Sequence, residues 1–203
     1  MEDGSKTKSS TDSVLVVTAR LDGVTMFDQT EVGFDSPTSG LVTLLTVASL
    51  VSQTMRENQL QYKDGMENIL FLLLNGESFD FSGSARLLYD MKNGQFPHKM
   101  NLTEVFSRGT QPQLSLDNIR AVVELGQLSS NEDKNVYIHT ENDPSEVVDQ
   151  LTKNAAKYNV ITKTSTATSL PPSSVGQFLG EKSDLKAVFL SNFDLLKLPI
   201  YHG

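Results

Sequence analysis

The chain has no cysteine among its 203 residues. No disulfide framework can be read, and cysteine usage leaves the redox compartment open. Cationic side chains are in deficit: 17 Lys and Arg against 25 Asp and Glu give a formal net charge of −8. That balance argues against a partner with a phosphate backbone, so no nucleic acid is expected, and against an anionic membrane surface. Histidine is scarce, limited to His98, His139 and His202. No apolar run approaches the roughly 18 residues needed to span a bilayer. Met1 to Ser13 is a polar tail, expected to be disordered, without the apolar centre of a secretory signal. The chain is therefore expected either in the cytosol or as part of a longer precursor. A Gly-x-Ser-x-Gly elbow is missing, since Phe81-Ser-Gly-Ser84 lacks that spacing. There is no glycine-rich phosphate loop and no internal repeat.

What is present is an alternation of buried-strand and helix patterns. Val14 to Ala19 reads as a strand and ends in Arg20-Leu-Asp22-Gly23. Ser36-Pro37 predicts a helix start, because serine suits the N-cap and proline the first helical position. Leu41, Leu44, Leu45, Ala48 and Val51 follow at helical spacing, to about Glu57. Ile69 to Leu74 is six apolar residues in a row, the pattern of a strand buried on both faces. Asn75, Gly76 and Glu77 follow, then a helix from about Ser82 to Asn93, with Gly94 as terminator.

Residues 96–118 read as an irregular insertion holding the one sequon singled out, Asn101-Leu-Thr103, a candidate glycosylation site. Further strands are expected at Ile119–Leu125, Val136–His139, around Val160-Ile161 and at Ala187–Leu190. Helices are expected at Pro144–Tyr158 and through Phe178-Leu179, after the break at Leu170-Pro-Pro-Ser-Ser174. The order implies an α/β three-layer sandwich, and residues 14–203 are taken as one lobe.

Polar groups gather at predicted strand ends or on connecting loops: Arg20 and Asp22, Asp35, Glu77 and Asp80, and Glu124. In open α/β sheets, chemistry collects at the carboxyl ends of strands. Converging carboxylates are what a two-metal hydrolase needs, but such a site also requires histidines. None of the three directly follows the strands that carry the acids. From the residues alone, Glu77 is either a functional carboxylate or a solvated loop acid.

Gly76-Glu-Ser-Phe-Asp-Phe-Ser-Gly-Ser84, with Arg86-Leu-Leu-Tyr-Asp-Met91 and Gly94-Gln-Phe-Pro97, closely resembles the nicastrin family. Asp80-Phe-Ser-Gly-Ser84 is similar to that family's Asp-Tyr-Ile-Gly-Ser motif, with Phe81 and Ser82 as departures and Gly83 retained. Thr18-Ala-Arg-Leu-Asp22, Val123-Glu-Leu-Gly-Gln127 and Leu170-Pro-Pro-Ser-Ser174 also match, in order. The resemblance implies an aminopeptidase-like fold around a mixed, mostly parallel sheet, and a degenerate site.

By likeness to the related zinc aminopeptidases, Arg20 stands where a metal-binding histidine would be, and Asp22 remains. Asp35, in Gly33-Phe-Asp-Ser36, takes the bridging position. Glu77 keeps the general-base position, Ser78 replaces a carboxylate ligand, and Glu124 falls near the next one. The resemblance therefore implies no catalysis, no metal and no cofactor, because arginine does not deprotonate and serine is a poor zinc ligand. Arg20 is expected to pair with Asp35 or Glu77 in the metal's place.

The implied role is a non-catalytic γ-secretase ectodomain, partnered by presenilin and two small membrane subunits. It would admit type I membrane substrates of the Notch or amyloid-precursor kind. The implied location is a single-pass membrane subunit with a lumenal or extracellular ectodomain, from endoplasmic reticulum through Golgi to plasma membrane. Glu77 would then either bind the substrate's amino terminus or serve the structure alone. Two other readings stay open: an aminopeptidase with a non-standard metal site, and a free-standing soluble α/β binding protein.

Overall fold

The computed structural model describes residues 13–23, 35–57, 67–97, 113–129, 135–141, 145–165 and 169–194. Most of the insertion at 96–118, including Asn101, lies outside the described residues, as do the polar tail to residue 12, His98 and His202.

Among the described residues, six strands form one sheet: β1 (Val14–Arg20), β2 (Asn68–Leu74), β3 (Ile119–Leu125), β4 (Asn135–His139), β5 (Ile161–Thr164) and β6 (Lys186–Ser191). Their spatial order is β2-β1-β3-β6-β4-β5. Every neighbouring pair is parallel except β4 and β6. Among the described residues, four α-helices cover the sheet: α1 (Thr38–Glu57), α2 (Ser82–Lys92), α3 (Ser145–Lys157) and α4 (Ser174–Glu181).

The layers follow from alternation along the strands. On one face, Val14, Val16, Val122, Ala187 and Phe189 pack under Leu88 and Met91 of α2 and Val175, Phe178 and Leu179 of α4. On the other, Ala19, Val123, Leu125 and Val188 meet Leu44 of α1 and Val147, Val148 and Leu151 of α3. The fold is the mixed α/β three-layer sandwich that the element order implies.

Two local readings change. The first helix begins at Thr38, after a turn at Asp35-Ser36-Pro37 in which Ser39 N–H donates to Asp35 O at 3.1 Å. It rests on the sheet through Gly40, whose missing side chain is required: a Cβ there would stand 2.3 Å from the Leu125 carbonyl oxygen. By length and composition α1 could cross a bilayer, yet Gly40 and Leu44 are buried against the sheet.

The second change concerns β2. Its apolar run reads as an interior strand, but β2 is an edge strand among the described residues, with Ile69 41% and Leu73 43% exposed. Hydrophobic runs report a tendency to be covered; they do not say from which side the cover comes.

Candidate functional site

The loop after β2 is wrapped around a carboxylate carried two residues past β1. Asp22 Oδ1 accepts the backbone N–H groups of Gly76 and Glu77, each at 3.0 Å, and Oδ2 accepts that of Ser78 at 2.7 Å. Three successive amides converging on one acid make an anion nest built from main chain. Burial alone pushes the Asp22 carboxyl up. The N–H bonds from Ser78 and Glu77, the Ser78 hydroxyl and the charge of Arg20 together outweigh burial and hold it below its ordinary value.

Glu77 is turned inward by that clamp and is 1% exposed. Its carboxylate has three donors. Oε1 accepts the Ser84 N–H at 2.7 Å; Oε2 accepts the Ser84 hydroxyl at 2.8 Å and the Ser174 hydroxyl at 2.6 Å. Ser84 lies in the first turn of α2 and Ser174 is the first residue of α4. One buried acid therefore joins the amino-terminal ends of two helices, where negative charge complements the exposed N–H groups and the macrodipole. Gly83 makes room for it: a Cβ there would lie 2.0 Å from Asn75 O and 2.6 Å from Glu77 Oε1.

Glu124, 3% exposed near the end of β3, reaches the same helix. Its Oε2 accepts the Val175 N–H at 2.9 Å. Burial, helped by the nearby charge of Glu77, pushes its carboxyl up to about 7, against the N–H bonds of Val175 and Ser174 and the charge of Arg20. The two acids, Glu77 and Glu124, converge on the start of α4.

Arg20 does not form the pair expected of it. Its Nη2 donates to Ser78 Oγ at 3.1 Å, while its buried Nε has no hydrogen-bond partner. Among the described residues it makes no ion pair with Asp35 or Glu77. Asp35 is engaged elsewhere. It accepts the Ser39 hydroxyl at 2.9 Å, the Ser129 N–H at 3.2 Å and the Asn192 side-chain amide at 3.1 Å. Asp80 is exposed, and together with Phe81 it occupies the left-handed region at φ 53° and 54°, bending the chain into α2. Ser82 closes that bend through its hydroxyl, which donates to Gly76 O at 2.9 Å.

The structure thus unites Arg20, Asp22, Glu77, Ser78, Ser84 and Glu124 around α2 and α4. Asp35 is bound into a neighbouring loop cluster, and Asp80 stays on the surface. Sequence reasoning missed the part played by Ser174, although it lies in a motif already singled out. It also missed Ser39, Ser129 and Asn192 around Asp35.

A zinc ion does not fit this donor set. Asp22 and Glu77 are each engaged by three N–H or O–H donors, Asp35 is tied away from them, and a permanent cation, Arg20, lies beside Asp22. Among the described residues, no three His, Cys, Asp or Glu side chains form a group able to hold a metal.

The family model for the nicastrin large lobe matches residues 13–202. The chain belongs to the nicastrin family. Nicastrin of Mus musculus is 29% identical over 178 residues, covering 82% of this chain and 22% of that protein. The chain therefore spans about a fifth of the length of the curated relatives it matches. The crystal structure of nicastrin, a γ-secretase component, superposes with a TM-score of 0.64 at 19% identity, over 92% of this chain and 35% of that one. A zinc aminopeptidase from Bacillus subtilis superposes at 0.54 and 14% identity, over 95% and 39%. Both likenesses are of fold. They agree with the aminopeptidase-like architecture that the nicastrin resemblance implies.

Proposed function

We propose that this chain is a non-catalytic lobe of a γ-secretase-type complex, in which the former peptidase centre has become a structural hub. The whole protein would be a single-pass membrane subunit with its ectodomain outside the cytosol, assembled with presenilin and two small membrane subunits. That ectodomain would gate type I membrane substrates of the Notch or amyloid-precursor kind by bulk.

The observation that carries this reading is the burial of Glu77: an acid 1% exposed, with three donors from the starts of two helices, offers no accessible face to a substrate ammonium group. In this reading Asp22, Arg20, Ser78, Ser84 and Glu124 position α2 and α4, and catalysis belongs to the partner.

Glu77→Gln in the assembled complex tests it. The expected result is impaired folding and maturation, with substrate processing lost in proportion to assembly. Normal assembly with substrate capture abolished would overturn the structural role and favour an amino-terminus-binding site. Metal analysis of the purified protein is the companion measurement, expected to give far less than stoichiometric zinc. Stoichiometric zinc removed together with a peptidase activity would sink the non-catalytic reading.

A further inference from the structure

We propose that His139 is an acid-sensing latch: neutral, it locks Ser191–Asp194 to β4; protonated, it releases that segment and the loops tied to it.

His139 ends β4 and is 1% exposed. Its ring lies tilted against those of Phe189 and Phe193, with centroids 5.7 Å away in each case. Nε2 lies 2.8 Å from Ser191 Oγ and 3.0 Å from Phe193 O. The Ser191 hydroxyl itself donates to Phe193 O at 2.9 Å, which leaves its lone pair facing the imidazole. Nε2 is therefore the nitrogen that bears hydrogen. Nδ1 is buried with no hydrogen-bond partner. A second proton has to go to Nδ1, which is buried and has no acceptor among the described residues.

The charges around the ring do not offset this. Burial is the largest influence and holds the imidazole below its ordinary value, although the hydrogen bond to the Phe193 carbonyl and then the Asp194 charge act in favour of the imidazolium; the Asp194 carboxylate already accepts the Ser165 hydroxyl at 2.8 Å. The charged side chain of β6, Lys186, is at the strand's far end and is engaged by Glu146. On β5, Lys163 lies over the Tyr137 ring, and the α4 acid, Glu181, pairs with Lys92. Glu141, just beyond β4, is exposed.

The latched segment is a junction. Asn192 N–H donates to Gln127 O at 2.7 Å, and its side-chain amide donates to Asp35 Oδ2 at 3.1 Å and Ser129 O at 3.0 Å. Asp194 holds Ser165, just past β5. Opening at His139 would therefore loosen the start of α1, the loop after β3 and the end of β5 together. Acidification from about pH 7.5 to about pH 5.5 spans the range in which such a residue acts as a switch.

The test is hydrogen exchange of the full chain at both pH values, corrected for intrinsic chemistry, beside the ring titration of His139 by NMR. Amides of Asn192, Phe193 and Ser129 are expected to exchange about tenfold faster at the lower pH. In His139→Phe, which keeps an aromatic ring but cannot titrate, that acceleration should vanish. The same acceleration in His139→Phe overturns the proposal. Should that variant not fold, the wild-type titration decides: a ring that protonates at or above the ordinary histidine value, with exchange unchanged, also overturns it.

Discussion

A carboxylate at a strand end can serve chemistry or architecture, and its donors tell the two apart. Glu77 has donors from two helices and no cation, so removing its charge strips a cap from each. Glu77→Gln should lower the unfolding free energy by about 2–4 kcal/mol in urea titrations, because a carboxamide must turn its N–H₂ either to the Ser84 N–H or to the Ser84 and Ser174 hydroxyls, all of which now donate. Gly83→Ala should cost at least about 2 kcal/mol, since backbone and acid both stand in the way of a methyl group.

Glu124 behaves in the opposite sense. Its folded value of about 7 stands above the ordinary 4.5, so its contribution is fully present below about pH 4.5 and is lost as pH rises through 7. Glu124→Gln keeps an acceptor for Val175 N–H. It should be more stable than the parent above about pH 8, by up to about 3 kcal/mol, and show no gain below pH 4.5.

The acids themselves were legible in the sequence as polar residues at the ends of apolar runs. Their partners were not. Ser174 is 97 positions from Glu77 and Asn192 is 157 positions from Asp35, and no local pattern encodes such pairings.

Among the elements, β2 and α1 leave the most apolar surface uncovered. Asn68-Ile-Leu-Phe-Leu-Leu-Leu74 carries no charge, and exposed Ile69 and Leu73 share one face of this edge strand. Val42, Leu45 and Leu50 of α1 are more than half exposed. Native sheets usually protect such edges with a lysine, a proline or a bulge. The 203-residue chain is expected to self-associate with rising concentration on gel filtration, and Leu73→Lys should shift it toward monomer without lowering its thermal midpoint. Unchanged association in that variant would place the contact elsewhere. Strand and helix identities were readable because apolar spacing differs between them. The edge position of β2 was not, because it depends on which strands lie beside it.

For the whole molecule, the element order pointed to three layers, but not to the reversal of β4 and β5 against the other strands. That reversal brings His139 over β6 and into contact with Ser191. It also sets two pH responses against each other. As pH falls below the ordinary histidine value of 6.5, burial of His139 favours the unfolded state, whereas Glu124 favours the folded one over part of the same range. Glu124→Gln should therefore show a steeper acid loss of stability than the parent between about pH 7 and pH 5, and adding His139→Phe should flatten it.

The link between Glu77 and Ser174 also bears on the order in which the chain assembles. It closes a loop of 97 residues, and the entropy of closing so long a loop must be met before the contact rewards it. The joint between α2 and α4 should therefore form after the rate-limiting step. In stopped-flow measurements, Ser174→Ala should leave the refolding arm nearly unchanged and speed unfolding, the signature of a contact that seals the fold last and is first to give way.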